Sequence, residues 1–309
     1  MKTRSLGSLE ISEVGIGCNN FGMRLDEVGT KVVVDAALDH GITFFDTSNT
    51  YGATQSEVLL GRALGGRRSR VHIATKFGMG LDDNFPDIRW SAAPDYIVSA
   101  CDASLARLST DYIDLYQLHF PDAATPIEDT IAALQGLQAA GKIREFGCSN
   151  FDATMLRSAA AAAGGGSTFR SVQNQYSLLH REPETGVLEA CGELQMGLLP
   201  FYPLANGMLT DKFTPGAAPV AGSRLANMPE NRRGHWLGDD MVAAAQRVHD
   251  IAHRHDVSVL TLAFSWLLHH PEVSSVIAGA SNAEQVAANV AAATQLEPSL
   301  IAELNEATK

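Results

Sequence analysis

Cysteine is scarce in this chain, and the four cysteines that it has lie far apart. Cys18, Cys101, Cys148 and Cys191 form no CxxC pair. This spacing argues against a zinc ribbon and against a disulfide framework. It is typical of reduced thiols, so we expect a cytoplasmic protein.

Long apolar runs and positive charge are also in short supply. No apolar stretch is long enough to span a membrane, and Met1 to Arg4 lead into mixed polar sequence rather than an apolar signal core. The 23 lysines and arginines are outnumbered by 35 aspartates and glutamates, which gives a formal charge of −12. Because an acidic chain repels nucleic acid and anionic membranes, we expect neither as a partner.

What the chain does contain is an ordinary globular composition. Of its 309 residues, 45% are hydrophobic and 19% are charged, which is enough apolar content for a large core. A barrel of about 250 residues with its loops would use this length. We therefore predict one domain over residues 1–309.

Strand-like and helix-like segments alternate along most of the chain, which predicts a parallel sheet with crossover helices. A long segment with Gly and Pro, 205–238, interrupts the order, and 241–270 is predicted to be helical again. An outer helix is predicted from Pro298. A β-hairpin within residues 4–18 leads into the predicted strands, which are Val14–Gly17, 42–46, 70–78, 111–122, 143–150, 169–176, 196–204 and 274–281.

Two patterns favour a closed barrel over an open doubly wound sheet. The number of strands is near eight, and the notable polar residues fall at strand carboxyl ends, where a barrel places its chemistry. The first strand also lacks a dinucleotide-binding fingerprint, since Gly15-x-Gly17 has no third glycine at the needed spacing. The prediction is a single (β/α)8 TIM barrel with an N-terminal β-hairpin and extra C-terminal helices.

Four polar residues at three successive strand ends suggest a proton-donor set. Asp46 ends one predicted strand and is followed by Tyr51, while Lys76 and His119 end the next two. An ammonium group lowers the pKa of a neighbouring phenol, ordinarily ~10. Asp46 could orient Lys76, and His119 could donate a hydrogen bond to a carbonyl oxygen. Each residue alone has an ordinary explanation, but together they favour acid catalysis at a carbonyl group.

Seven motifs resemble those of the aldo-keto reductase family and stand in that family's order, over about residues 4–290. They are FDTSNTYG, ATKFG, YIDLYQLHFPD, GCSN, VQNQYSLL, PLANGMLTDK and GASNAEQVAAN. The resemblance implies an NAD(P)H-dependent reductase of aldehydes or ketones on a (β/α)8 barrel. It makes Asp46, Tyr51, Lys76 and His119 the catalytic tetrad, with Tyr51 as the general acid.

The same resemblance implies a cofactor site. Three polar side chains would hold the nicotinamide carboxamide, which has donors and an acceptor to satisfy, and Phe201 or Tyr202 would stack on its ring. NADP(H) is expected because the similar potassium-channel β-subunits use NADPH; NAD is the weaker expectation, although Ser281 stands where many members have Lys or Arg. The expected contacts are Ser149, Asn150, Gln173, Phe201, Tyr202, Pro203, Leu204, Gly279, Ser281, Gln285 and Asn289.

The substrate is predicted only as a small-molecule carbonyl compound. Loop aromatics are candidates to contact it, namely Phe21, Phe85, Trp90 and Phe120. Arg224, Arg232 or Arg233 is a candidate to bind a phosphate of the cofactor or substrate.

Two other functions are compatible with parts of the sequence. One is a nicotinamide-binding redox sensor or regulatory subunit with slow turnover, as in the channel β-subunits. The other, a metal-dependent hydrolase, is disfavoured because only Asp46 and His119 qualify as ligands, so no metal is expected. No sequence pattern predicts the oligomeric state.

Overall fold

The computed structural model describes residues 1–79 and 90–309. An antiparallel hairpin, β1 (Thr3–Leu6) and β2 (Leu9–Ser12), comes first. Parallel strands follow, and five of them end at or next to a polar residue that the sequence placed there, namely Asp46, Lys76, His119, Ser149 and Gln173. These strands are β3 (Val14–Gly17), β4 (Phe44–Asp46), β5 (His72–Phe77), β6 (Ile113–Leu118), β7 (Ile143–Ser149), β8 (Ser171–Gln173), β9 (Gly197–Leu198) and β10 (Val276–Ala278).

Within the described residues, β3 to β10 form one eight-stranded sheet in the order β10-β3-β4-β5-β6-β7-β8-β9. The two outer strands of this order are joined through Leu198. Its N–H donates to the Glu272 carbonyl at 2.7 Å, and Ser274 N–H donates to the Leu198 carbonyl at 3.0 Å. The sheet thus curls on itself, and the predicted (β/α)8 barrel with an N-terminal hairpin is confirmed.

Helices surround the barrel, and several begin at a capping side chain that accepts a backbone N–H, as helix starts require. Asp26 caps α1 and Asp152 caps α5 in this way, each accepting at 2.8 Å. In the described residues, no helix is long and apolar enough to cross a bilayer. The helices are α1 (Glu27–Asp39), α2 (Gln55–Leu64), α3 (Pro94–Leu108), α4 (Ile127–Ala139), α5 (Ala153–Ala162), α6 (Val187–Leu194), α7 (Glu230–Trp236), α8 (Asp239–Arg254), α9 (Val259–His269), α10 (Ala283–Ala291) and α11 (Pro298–Ala307).

Residues 241–270, predicted to be helical, form two helices, α8 and α9, with a break between them. Asp256 takes a left-handed φ of +50°, which ends the helical path. Ser258 then caps α9 by accepting the N–H of Thr261 at 3.0 Å. Both residue types favour caps and turns, so the break has a local cause.

The hairpin closes the amino end of the barrel. Its buried residues Leu6, Leu9 and Ile11 form one apolar cluster with barrel residues that include Phe44 and Leu115. Burial of this apolar surface stabilises the plug by about 25 cal/mol per Å². The carboxyl ends of the strands, where the polar candidates lie, therefore remain the accessible end.

Two helical glycines should respond oppositely to the same substitution. A Cβ at Gly61 in α2 would lie 2.5 Å from the Leu108 carbonyl oxygen, whereas nothing lies within 4 Å of one at Gly136 in α4. We expect Gly61→Ala to lower the free energy of unfolding by roughly 1–3 kcal/mol through overpacking. Gly136→Ala should raise it by about 0.5–1 kcal/mol. Urea unfolding of both variants checks this, and a stabilising Gly61→Ala would contradict the close helix contact.

Candidate active site

The ammonium group of Lys76, on β5, is buried and surrounded by acceptors. Its Nζ donates to the two carboxylate oxygens of Asp46 at 2.8 and 2.7 Å, and to the Thr47 carbonyl at 2.9 Å. Asp46 ends β4, the strand paired with β5. Burial lowers the pKa of Lys76, but Asp46 and Tyr51 together outweigh it, and the net shift is upward. Lys76 is therefore a permanent cation near neutral pH.

Tyr51 stands beside this cation. Lys76 Nζ is 3.4 Å from Tyr51 Oη and 5.0 Å from the centroid of the ring. Burial raises the pKa of the phenol, and the Lys76 charge opposes that rise only in part. The sequence predicted a lowered pKa; the net direction is upward because desolvation of the phenolate outweighs its attraction to Lys76. Tyr51 is a protonated phenol at neutral pH.

His119 follows β6 and faces Tyr51. The ring centroids are 6.3 Å apart with an interplanar angle of 80°, and His119 Nδ1 is 3.4 Å from Ser48 Oγ. Burial, with a further contribution from the Lys76 charge, lowers the pKa of His119 to about 3. At neutral pH the ring is an uncharged imidazole with one N–H to donate.

Side-chain amides of Gln173 and Asn150 extend the polar site. Gln173 Nε2 donates to Asp46 Oδ1 at 2.9 Å, and Asn150 Nδ2 donates to the His119 carbonyl at 3.0 Å. Because a carboxylate and a carbonyl only accept, these bonds fix both amide orientations. They leave Gln173 Oε1 and Asn150 Oδ1 to accept hydrogen bonds from a ligand. Ser149 completes the group by donating to the Gln173 carbonyl at 2.6 Å.

Asp46, Tyr51 and His119 line one cavity of about 820 Å³ together with Ser149, Asn150 and Gln173. Lys76 is fully buried and does not line it. Two further amide nitrogens on its wall, Asn206 Nδ2 and Asn289 Nδ2, are buried without a hydrogen-bond partner in the part of the chain that is described. A buried amide left unpaired costs free energy. Both groups are therefore suited to a polar ligand, and the volume lies within the range of small-molecule and cofactor sites.

The far wall of this cavity is formed by β10 and the start of α10. A Cβ added at Gly279 would lie 3.4 Å from Asn20 Nδ2. Glycine therefore leaves this volume of the cavity free for a ligand. Ser281 N–H donates to Gln285 Oε1 at 2.9 Å, and Asn282 Oδ1 accepts from Gln285 N–H at 2.9 Å. The fold thus brings Gly279, Ser281, Gln285 and Asn289 into the same cavity as Asp46, Tyr51 and His119.

Phe201 and Tyr202 both line the cavity, followed by Pro203 and Leu204. The two rings are nearly perpendicular, at 84° with centroids 5.2 Å apart. Only one of them can therefore lie flat against a planar ligand ring. Tyr202 has a φ of +53° and is 39% exposed, so it lies at the mouth rather than in the depth of the site.

The predicted substrate aromatics have different surroundings. Phe120 lines the cavity and stacks on His119, with centroids 5.1 Å apart, and Trp90 packs on Phe120 at 4.7 Å. Phe21 is fully buried in the core and does not line the cavity. Phe85 lies outside the described residues.

Sequence reasoning missed several residues at this site. Asn19 and Asn20, directly after β3, line the cavity, as do Asn206 and Lys212. The strand-end rule that found Asp46 would also have found the two asparagines. Gln117 lies within β6, and its Nε2 is 3.4 Å from Asp46 Oδ1. A polar residue in an otherwise apolar strand is the sequence pattern that could have identified it.

Fold and site together define a class of protein, a (β/α)8-barrel oxidoreductase. The model of the Aldo/keto reductase family matches residues 13–309, and the chain belongs to that family. Members use nicotinamide cofactors, so this protein is an NAD(P)H-dependent oxidoreductase. In the described residues, no group of three or more His, Cys, Asp or Glu side chains could hold a metal ion.

The chain is similar to proteins with several descriptions. The uncharacterized oxidoreductase YqkF of Bacillus subtilis is 33% identical, over 95% of this chain and 91% of that protein. A probable voltage-gated potassium channel subunit beta of Arabidopsis thaliana is 32% identical, over 94% of this chain and 91% of that protein. The aldo-keto reductase AKR11C1 from Bacillus halodurans, in its holo form, has a TM-score of 0.84 and 32% identity, covering 100% and 97% of the two chains.

The buried, neutral His119 should make stability depend on pH. In the unfolded chain a histidine has a pKa of about 6.5, and in the folded protein the pKa of His119 is about 3. Below pH ~6.5 the unfolded state therefore binds a proton that the folded state does not, and stability falls as pH falls. When the pH falls from about 7 to about 5, the free energy of unfolding should decrease in both proteins. We expect the decrease to be smaller for His119→Gln than for the wild type.

Urea unfolding at the two pH values measures this difference. His253→Gln, which changes an exposed histidine on α8, is the matched control and should keep the wild-type pH dependence. Equal pH dependence in His119→Gln and wild type would contradict a neutral, desolvated His119.

Proposed function

We propose that this enzyme reduces the carbonyl group of an aldehyde or ketone to an alcohol, with NADPH as cofactor and Tyr51 as general acid. The observation that carries the proposal is the direction of the hydrogen bond between Lys76 and Tyr51. An ammonium group only donates, so with one N–H shared between the two Asp46 oxygens and one on the Thr47 carbonyl, Tyr51 Oη accepts from the third. The phenol's own proton is then available to a group in the cavity.

The neighbouring residues support this role. As negative charge develops on the carbonyl oxygen, the Tyr51 hydroxyl and a neutral His119 N–H can both donate to it. Tyr51 then gives its proton to that oxygen, and the Lys76 ammonium stabilises the phenolate that remains. Asp46 holds Lys76 in place through both carboxylate oxygens. When bound, NADPH supplies the hydride for the carbonyl carbon.

The proposed cofactor fits the polar groups of the cavity. Gln173 Oε1 and Asn150 Oδ1 are suited to the N–H groups of a nicotinamide carboxamide. Ser149 holds this strand end in place, since its hydroxyl donates to the Gln173 carbonyl and accepts from Asn150 Nδ2. The unpaired amides of Asn206 and Asn289 suit the ribose, phosphate or adenine groups. Lys212 adds a cation to a cavity in an otherwise acidic chain, which favours a phosphate-rich ligand and supports NADPH over NADH.

The described cysteines are free and buried, which agrees with a reducing compartment, and we propose that the enzyme works in the cytoplasm. A second candidate function is a cofactor-binding regulatory subunit with slow turnover. It is favoured by the similarity to a protein named as a probable channel subunit beta. Rapid multiple turnover with a carbonyl substrate separates the two candidates.

Removal of one hydroxyl should abolish most of the activity. We expect Tyr51→Phe to lower kcat for reduction of a reactive aromatic aldehyde by about 100-fold or more, because the general acid is lost. NADPH binding should change little. The measurements are NADPH absorbance during turnover, repeated with NADH to compare the two cofactors, and NADPH fluorescence on binding.

Tyr112→Phe is the matched control, since this tyrosine packs between Arg68 and Arg144 before β6, at the other end of the barrel. It should keep wild-type turnover. Equal rates for Tyr51→Phe and wild type would refute Tyr51 as the acid. NADPH binding without turnover of any carbonyl compound would favour the regulatory subunit.

The pH profile of reduction should be flat near neutrality. The pKa of Tyr51 is raised above its ordinary value of 10.0, and that of His119 is lowered to about 3. Neither group titrates between about pH 6 and 9, so kcat should fall only at alkaline pH, as Tyr51 loses its proton. Steady-state rates across this range provide the check, and a limb near pH 6.5 would contradict the neutral imidazole.

A further inference from the structure

The two ring nitrogens of His119 have different surroundings. Nδ1 is 3.4 Å from the hydroxyl oxygen of Ser48. In the described part of the chain no hydrogen bond is found at Nε2, and the residue lines the cavity. A neutral imidazole carries one proton, and the hydrogen bond made by one nitrogen decides which of the two holds it. The group beside Nδ1 therefore bears on whether His119 can donate a proton into the cavity.

The ring of His119 is held in a fixed orientation. Phe120 stacks on it with centroids 5.1 Å apart and an interplanar angle of 14°, and Tyr51 meets it nearly edge-on. The backbone of His119 is fixed as well, because its N–H donates to the Phe77 carbonyl at 2.9 Å and its carbonyl accepts from Asn150 at 3.0 Å. These contacts resist rotation of the ring, so Nδ1 stays on the side of Ser48.

Ser48 is fully buried, and its hydroxyl oxygen already has donors around it. It accepts the backbone N–H of Thr50 at 3.2 Å, and the Thr50 hydroxyl lies 3.0 Å away. A serine hydroxyl has two acceptor sites and one proton of its own. When both groups of Thr50 donate to it, Ser48 has a proton to give and no site left for a further donor.

Two acceptors are within reach of that proton, His119 Nδ1 and Asn49 Oδ1, which is 3.3 Å away. A proton given to Asn49 would leave the buried Nδ1 without a donor, which costs free energy. A proton on Nδ1 would instead compete with Thr50 for the oxygen of Ser48. It would also leave Nε2 as an acceptor that faces the carbonyl oxygen of a substrate, where two lone pairs repel each other.

Building on the proposed function, we infer that Ser48 is a positioning residue, whose hydroxyl donates to His119 Nδ1 and so keeps the ring proton on Nε2. From Nε2 the proton can be donated to the carbonyl oxygen of the substrate. Ser48 does not line the cavity and acts only through His119. The turn after β4 thus supplies Tyr51 and also sets the tautomer of His119. No covalent step is added to the reduction.

The tautomer can be measured by NMR, because the 15N chemical shift of a ring nitrogen depends strongly on whether it carries a proton. The chain has 10 histidines, and the signals of His119 in 15N-histidine-labelled protein are those that disappear in His119→Gln. Near neutral pH the ring is uncharged, since the pKa of His119 is about 3. We expect wild type to carry the proton on Nε2. In Ser48→Ala the two 15N shifts should move towards each other, because a population protonated on Nδ1 appears.

The same variant should be slower as an enzyme. We expect Ser48→Ala to lower kcat for a reactive aromatic aldehyde by roughly three- to tenfold, as expected for one weakened hydrogen bond in the transition state. NADPH binding, measured by fluorescence, should not change. Ser265→Ala is the matched control, since Ser265 is a buried serine of α9 whose hydroxyl donates to the Ala292 carbonyl at 2.8 Å. It should keep the wild-type signals of His119 and the wild-type rate.

Two results would overturn the inference. One is a wild-type spectrum in which Nδ1 of His119 carries the proton. The other is a Ser48→Ala spectrum with the same His119 shifts as wild type. A lower rate of Ser48→Ala with unchanged shifts would assign Ser48 a role in packing alone, and it would also overturn the inference.

If wild type reduces no carbonyl compound, the proposed function fails separately. The spectra do not depend on turnover and still decide the role of Ser48. A proton on Nε2 in wild type together with moved shifts in Ser48→Ala supports the inference, and unchanged shifts overturn it.

Discussion

The buried ammonium of Lys76 is the constraint on which the rest of the site depends. A cation with no exposed surface is tolerated only with a counter-ion and enough acceptors. Asp46 supplies the charge, and Gln173 and Gln117 approach the same carboxylate from β8 and β6. One ion pair therefore links four strands inside the barrel. Removing either charge would leave its partner buried and unpaired, which typically costs several kcal/mol.

This polar network is confined to one end of the barrel. At the amino end the hairpin packs apolar side chains against apolar residues of the strands. At the carboxyl end the strands deliver Asp46 and Ser149 to the cavity, and Lys76 is buried beside Asp46. The separation allows the apolar end to stabilise the fold while the polar end keeps charged groups together, an arrangement typical of barrel enzymes.

Loops adapt this scaffold to a ligand at some conformational cost. Asn150, Tyr202 and Asn206 all have positive φ and all line the cavity. Such backbone is disfavoured for a bulky residue such as Tyr202, and it persists where surrounding contacts hold it. Tyr202 is in ring contact with Phe201 and with the buried Trp236 of α7. The segment between β9 and α8 therefore contributes side chains to the site and does more than connect a strand to a helix.

The sequence by itself determined the order of strands and helices and most of the polar groups at the strand ends. Apolar runs, turn residues and the residue types of the tetrad are local, so they can be identified without knowing what packs against them. The resemblance of the motifs then added the family and the expected roles of these polar residues. The break at Asp256, which the prediction of helix over 241–270 did not mark, also had a local signal.

Only the tertiary structure decided what depends on distant parts of the chain. It closed the sheet through Leu198, buried Phe21 and oriented the Gln173 amide towards Asp46. It also reversed the expected shift in the pKa of Tyr51, since desolvation depends on every group around the phenol. Sequence spacing carries no information on these contacts, because burial and charge proximity arise only when the strands and loops are assembled.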